Sequence, residues 1–358
     1  MSGKTFVIAE AGVNHNGSLE MALELVDAAR ECGADAVKFQ TFRAEKLASR
    51  HAPKAAYQMK TTAPQQSQLE MLKRLELTER MHEALIDRCA RKGIEFLSTP
   101  FDPDSAKLLA VRFNLRRLKI SSGDLTNAPL LYTIASMGKP VIASTGMSTL
   151  SDIESALSVL AFGYMNLPDK PSVEAFRKAY ESDEGQSALR DNVRLLHCTT
   201  EYPSPIRDVN LRAIDTLRSA FGLEVGYSDH TPGIAVSIAA VARGASLIEK
   251  HMTLNRQLPG PDHQASLEPN ELRDMIIAIR QVESALGTPR KLAAESERSN
   301  REMARKSLVA AASIRRGEIF TERNLTVKRP GTGIAPIWYW DWIGKRAERD
   351  YAQDEVVR

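Results

Sequence analysis

An α/β fold is predicted here, a (β/α)8 TIM barrel followed by a small β-rich domain, and three observations predict it. Eight short apolar runs each end in a polar or charged cluster: IAEAG, AVKFQTF, FLSTPFD, LKISSGD, VIASTG, LLHCTTEYP, VGYSDHT and LIEKHM. Helix-length amphipathic stretches separate most of them, which is the pattern of βαβ units on a parallel sheet. The C-terminal stretch KSLVAAASIRRGEIFTERNLTVKRPGTGIAP changes to short β-branched runs broken by Gly and Pro, the mark of a compact β-rich module.

The first unit sets the pattern. Strand 1, about residues 6–11, leads through Asn14-His15-Asn16-Gly17 to a helix. Ser18 is placed to cap that helix, Leu19, Ala22, Leu23, Val26 and Ala29 give it one apolar stripe, and Gly33 can close it. Further strands are expected near 36–40, 95–100, 117–122, 140–145, 193–198, 224–229 and 247–252. Two connections exceed the short loops usual in such folds. Residues 42–80, with helical SQLEMLKRLEL, are expected as a lid beside the mouth, and 163–190, with helical VEAFRKAYESDEG, as an insertion before strand 6. A last barrel helix near 269–286 completes a barrel domain over 1–288, a polar linker follows over 289–305, and the β-rich domain covers 306–358. So small a module buries little core of its own and is expected to lean on the barrel or on a partner subunit.

Composition narrows the function. The chain has 358 residues, enough for one barrel of roughly 250 residues plus the small module. Lys+Arg of 48 against Asp+Glu of 45 leaves a net +3 with no basic block, so neither nucleic acid nor an anionic membrane is an expected partner. Three cysteines at unpatterned spacings fit a reducing compartment and exclude a disulfide framework or a CxxC zinc site. With no signal peptide and no apolar run of roughly 18 residues, a soluble cytoplasmic protein is expected.

Catalytic residues of such barrels sit at the C-terminal ends of the strands, so the chemistry is read there. Lys38 in AVKFQ and Lys119 in LKISS lie inside strand-like text, where a lysine is costly unless an anion meets it. Two lysines converging on one mouth suit a phosphate or carboxylate. Gln40 shares the face of Lys38, and Ser98, Thr99, Ser122, Ser144 and Ser228 add hydroxyls at strand ends. His230 after strand 7 and His251 at the end of strand 8, with Glu249 on the same face, can hold one divalent cation and leave positions open for water or substrate. His15 stands between site and loop structure, and His197 in LLHC between site and satisfied core histidine. Glu10 in FVIAEAG is a carboxylate in apolar text, hence a paired ion or a functional acid/base. Asp124 and Asp262 occupy turn-like text, where Asp often bends the chain without chemistry. Trp338, Trp340 and Trp342 suit packing better than a sugar platform.

These motifs, with STPFD, STGM, HCTTEYPSP, IEKHMTL, PGPDH and VKRPGTGI, cover essentially the whole chain. The chain resembles the sialic acid (N-acetylneuraminate) synthase family, nonulosonic acid synthases built of a barrel and a C-terminal antifreeze-like SAF domain of the β-clip kind. APKAAYQ and SQLEM resemble the bacterial sialic and legionaminic acid synthases in particular. The resemblance implies condensation of phosphoenolpyruvate with N-acetylmannosamine and water to a nine-carbon 2-keto acid, with release of phosphate. The alternative sugar is 2,4-diacetamido-2,4,6-trideoxymannose, the precursor of legionaminic acid. By the same resemblance Lys38, Thr99, Lys119, Ser122, Ser144 and Ser228 bind phosphoenolpyruvate, and Gln40, Tyr202 and Asp262 surround the sugar. Glu10 and Asp124 are the catalytic carboxylates, and His230 and His251 hold Mn2+, or Mg2+ or Co2+. Arg329 reaches the sugar's acyl group in the other subunit of a domain-swapped homodimer. Two positions depart from some members: Asp124 replaces Glu and Thr200 replaces Asn. Phosphosugar aldol synthases also use phosphoenolpyruvate in a barrel, but no extra Arg cluster supplies their second anion site.

Overall fold

The computed structural model describes residues 4–49, 52–54, 59 and 67–358. The chain forms two compact units that divide between Gly287 and Thr288.

In the first unit eight parallel strands form a nearly closed barrel: β1 (Phe6–Gly12), β2 (Ala36–Thr41), β3 (Glu95–Pro100), β4 (Leu118–Ile120), β5 (Val141–Ser144), β6 (Val193–Cys198), β7 (Glu224–Asp229) and β8 (Leu247–His251). The hydrogen-bonded order runs β3-β2-β1-β8-β7-β6-β5-β4, so the ladder is continuous except between β3 and β4, which lie side by side where the ring closes. Helices between the strands cover the outside, and the main apolar core fills the space between strands and helices. The predicted strands fall within one or two residues of these spans. The largest difference is β4, expected to reach residue 122. Ser121 ends it, because its side chain accepts from the Asp124 N–H and turns the chain into a short 3-10 segment.

The first helix, Leu19–Glu31, begins where expected, with the Ser18 side chain accepting from the Met21 N–H. Its buried stripe is Ala22, Leu25, Val26 and Ala29, while Leu19 and Leu23 are only half-buried. The insertion before β6 is two helices, Val173–Glu181 and Asp183–Asn192, hinged at Ser182, whose side chain caps the second. Among the described residues no helix is long and apolar enough to cross a membrane.

Alternation along the strands builds the barrel interior in layers. Ile8, Ala36, Leu97, Ile142, Leu196 and Leu247 make an apolar plug. Two residues further on, the same faces carry Glu10, Lys38, Thr99, Ser144, Cys198 and Glu249. Register then fixes neighbours: Glu10 lies opposite Lys38 on one side and His251 on the other, and Ser228 lies opposite Glu249. A polar layer therefore rests on an apolar floor at the C-terminal end of the strands.

In the second unit a short helix, Arg298–Ala304, occupies part of the stretch expected as linker. An antiparallel pair follows, β9 (Ser307–Ala310) and β10 (Leu325–Lys328), around a core of Leu308, Ile314, Phe320, Leu325, Tyr351 and Val357. Trp342 packs edge-on against Phe320 at 5.4 Å, whereas Trp338 and Trp340 are exposed.

Candidate active site

A cavity of about 560 Å³ opens above the polar layer. Glu249 sits at its base between two ammonium groups: Lys38 Nζ is 3.7 Å from one carboxylate oxygen and Lys119 Nζ 3.5 Å from the other. Ser228 donates to Glu249 at 3.0 Å. Lys38 also meets Glu10 at 2.6 Å and donates to Thr99 at 3.2 Å, and Lys119 donates to Ser144 at 2.7 Å. All four charged side chains are buried. Two cations and two anions thus neutralise one another, which lets the low-dielectric layer hold them.

The two carboxylates differ in affinity for protons. Burial pushes Glu10 up to about 7, with the Glu249 charge adding to it and Lys38 opposing it. Burial also acts on Glu249, but there Lys119, Lys38 and the Ser228 hydroxyl prevail and hold it down, at about 2. One carboxylate stays ionised and the other titrates near neutrality, the separation expected of an acid/base group beside an electrostatic anchor.

His230 and His251 stand side by side, with ring centroids 5.6 Å apart. His230 Nδ1 donates to the Thr199 carbonyl at 2.7 Å, which leaves Nε2 with its lone pair. His251 Nδ1 is buried without a hydrogen-bond partner, 4.0 Å from Asp262. Burial lowers the proton affinity of both rings, His251 the more, so both are neutral and able to donate to a metal. The pair fits a divalent ion as two of its ligands. Among the described residues no group of three His, Cys, Asp or Glu forms around it, so water or substrate would supply the rest. The Tyr202 ring packs on His230 at 4.3 Å and edge-on to His251 at 5.5 Å.

Gly12 takes φ +53°, and a Cβ there would lie 3.2 Å from Glu10, 3.5 Å from Gln40 and 3.6 Å from Asp262. Those three polar groups therefore face one spot, and burial raises Asp262 to about 6. Gly146 marks a second close approach: a Cβ would come within 2.1 Å of Thr200 Oγ1 and 2.9 Å of both Cys198 Sγ and Ser122 Oγ. Ser122 accepts from the Gly146 N–H at 3.0 Å.

The structure thus gathers Glu10, Lys38, Gln40, Thr99, Lys119, Ser122, Ser144, Tyr202, Ser228, His230, His251 and Asp262 around one cavity. It does not bring Asp124 among the lining residues. That carboxylate turns back to accept from Ser121 at 2.7 Å and Asn127 at 3.1 Å, closing the turn that ends β4. Arg329 is exposed in the second unit. His15 is fully buried beneath the first loop, its Nδ1 accepting from the Gly17 N–H at 3.0 Å, and His197 donates to the Val209 carbonyl at 2.6 Å. Neither ring lines the cavity. Ser98 bonds Thr41 at 2.6 Å rather than facing the cavity.

Two features escaped the sequence reading. Glu249, taken only as a carboxylate near the histidines, is the hub of the charged layer; its place two residues before His251 was the available signal. The other is an apolar wall. Leu47, Met71, Leu72 and Leu75 from the long β2–β3 connection line one side of the cavity with Val13 and Phe101. The described part of the expected lid is this wall; most of APKAAYQ lies outside the described residues.

Comparison with known proteins agrees with this arrangement. The NeuB family model matches residues 25–291 and the SAF domain model residues 305–358. An N,N'-diacetyllegionaminic acid synthase of Campylobacter jejuni is 48% identical over 99% of both chains. One of Legionella pneumophila is 44% identical over 95% of this chain and 90% of its own. The crystal structure of an N-acetylneuraminic acid synthetase from Leptospira borgpetersenii, in complex with citrate, superposes with a TM-score of 0.68 at 32% identity, covering 84% of this chain and 90% of that one.

Proposed function

Because this chain belongs to the NeuB family, we propose that it is a nonulosonic acid synthase that joins phosphoenolpyruvate to 2,4-diacetamido-2,4,6-trideoxymannose, giving a legionaminic-type nine-carbon 2-keto acid and phosphate. The observation that supports the reaction is the pair of buried lysines at the base of the cavity, two ammonium groups that an incoming phosphate or carboxylate can meet. The choice of sugar reverses the order of the sequence analysis, which put N-acetylmannosamine first. Two relatives at 48% and 44% identity are N,N'-diacetyllegionaminic acid synthases, whereas the sialic acid synthetase stands at 32%.

In this reading Lys38 and Lys119, with Thr99, Ser122, Ser144 and Ser228, hold the phosphate and carboxylate of phosphoenolpyruvate. C3 of phosphoenolpyruvate attacks the aldehyde carbon of the open-chain sugar, forming the C–C bond and leaving positive charge at C2, while the C=O π pair moves to the aldehyde oxygen, which takes a proton and becomes a hydroxyl. Glu10, poised near neutrality, takes a proton from the water that adds at C2. The C2–O bond to phosphate then breaks, the electron pair leaves with phosphate, and the ketone forms as the C2 hydroxyl gives its proton to the departing phosphate. The two ammonium groups stabilise the charge that departs. Gln40, Tyr202 and Asp262 orient the sugar. His230 and His251 would hold a divalent ion, Mn2+ in preference to Mg2+ or Co2+, and such an ion would supply Lewis-acid polarisation of the aldehyde oxygen. Asp124 is assigned no step. The assembly that accompanies this reading is a homodimer, tested by molar mass in solution.

The deciding experiment follows phosphate release and product mass with phosphoenolpyruvate, Mn2+ and a panel of sugars. The diacetamido sugar is expected to give the highest kcat/KM. A higher value with N-acetylmannosamine would restore the sialic acid reading, and turnover only with arabinose 5-phosphate or erythrose 4-phosphate would overturn the reaction class.

A further inference from the structure

The cavity has two unlike halves. Its base carries the charged and hydroxyl groups of the strand ends, while the side formed by the β2–β3 connection is apolar. Met71, in the helix Gln68–Lys73, and Leu75, in the turn just past its end, are both buried and pack in one apolar cluster. Leu47 and Leu72 flank them half-exposed, so apolar area remains free toward the cavity. Phe101 continues this surface beyond β3. From the connection only Gln68 adds a polar side chain to the described lining.

We propose that this wall seats the C6 methyl of the sugar and selects 6-deoxy substrates over their 6-hydroxy counterparts, with Leu47 and Leu72 as the specificity-determining residues. The inference rests on the function proposed above. C1 and C6 are the two ends of a hexose. With C1 at the base, where the C–C bond forms, C6 lies away from the charged layer, and the wall is a side that offers its methyl apolar surface. A hydroxyl held against Leu47, Leu72 and Phe101 gives up its hydrogen bonds to water and finds no replacement among these three side chains, whereas a methyl gives up none. Phosphoenolpyruvate is charged along its length and has no group that gains from an apolar wall, so the wall serves the second substrate. Apolar pockets discriminate a single methyl or hydroxyl by about 10- to 100-fold in kcat/KM.

The test compares kcat/KM of the full chain, with Mn2+ and saturating phosphoenolpyruvate, for 2,4-diacetamido-2,4,6-trideoxymannose and for the same sugar bearing a 6-hydroxyl. Wild type is expected to favour the deoxy sugar by about 10- to 100-fold. Leu72→Asn and, separately, Leu47→Asn are expected to bring that ratio toward one by lowering the deoxy value more than the hydroxy value. Equal values for the two sugars in wild type would overturn the inference and leave the proposed reaction standing. A ratio unmoved in variants that keep the wild-type melting temperature would equally overturn the assignment to these leucines; if one variant does not fold, the other decides. Turnover of neither sugar would overturn both the proposed substrate and this inference.

Discussion

Lys250 and Asp229 form an ion pair with both side chains wholly buried, Nζ to Oδ2 3.1 Å, one residue before His251 and His230 respectively. The two residues are ladder partners on β8 and β7, and every charged oxygen is satisfied. Asp229 accepts from Thr231 N and Oγ1 and from Ser237, and Lys250 donates to the Thr231 carbonyl. The pair ties the two strand ends on the outer face, while the next residue of each strand carries an imidazole at the mouth.

Removing one member leaves the other charge buried and alone. Asp229→Asn is expected to destabilise the barrel by about 3–5 kcal/mol, and adding Lys250→Met should return part of that loss. Urea unfolding of the two single variants and the double variant measures both effects; additive losses would show that the pair is not coupled.

Glu10, pushed up to about 7, titrates closer to neutrality than Asp262 at about 6. Its ionised form is the base, so kcat/KM is expected to rise with pH through about 7 and to fall below it as the carboxyl takes a proton. Glu10→Gln should lower kcat by about 10²- to 10⁴-fold and abolish that acidic limb. A limb that persists in the Gln variant would belong to another group.

Lys119 is expected to act on phosphoenolpyruvate rather than on the sugar. Lys119→Met removes one of the two cations facing Glu249 and should lower kcat/KM for phosphoenolpyruvate by at least about 30-fold, the lower range for deleting one partner of a buried charge pair. Initial rates over both substrates separate this from a loss of sugar affinity, which would count against the assignment.

His15 sets a stability term with a defined sign. Burial lowers its proton affinity from 6.5 to about 4, so in that interval the unfolded chain binds more protons than the folded one. Its contribution is complete above pH 6.5 and is lost as pH falls toward 4. His15→Asn keeps an acceptor for Gly17 and deletes the titration, so the drop in unfolding free energy between pH 6.5 and 5 should shrink by about 2 kcal/mol. Urea midpoints at the two pH values check it.

Gly146 has no room for a side chain. Gly146→Ala is expected to displace Thr200 and Ser122 and to raise the KM for phosphoenolpyruvate, and combining it with Thr200→Ala should restore part of the loss. Steady-state kinetics of both variants decide the point.

The barrel was legible because buried parallel strands read as continuous apolar runs, and the polar residue that ends each run breaks that text. Glu10, Lys38, Lys119 and His251 stood out for this reason. Glu249 carries the same signal, yet its role depends on two lysines 211 and 130 residues away in sequence, a relation that only strand register creates. The apolar wall is spread over Val13, Leu47, Met71, Leu75 and Phe101, each of which reads locally as ordinary core. Asp124 reads as a turn residue in SSGDLTN and is given a catalytic role by the resemblance alone; Ser121 and Asn127 beside it hold its carboxylate within the turn.

The ring of strands lacks its ladder at one place, between β3 and β4. Thr99 projects from the first of these strands and Lys119 from the second. An anion gripped by both would bridge the seam and work as a clasp, doing with side chains what backbone bonds do elsewhere round the circle. Substrate would then be part of the barrel's own closure, and the emptied protein would be the looser vessel, opening first along that line.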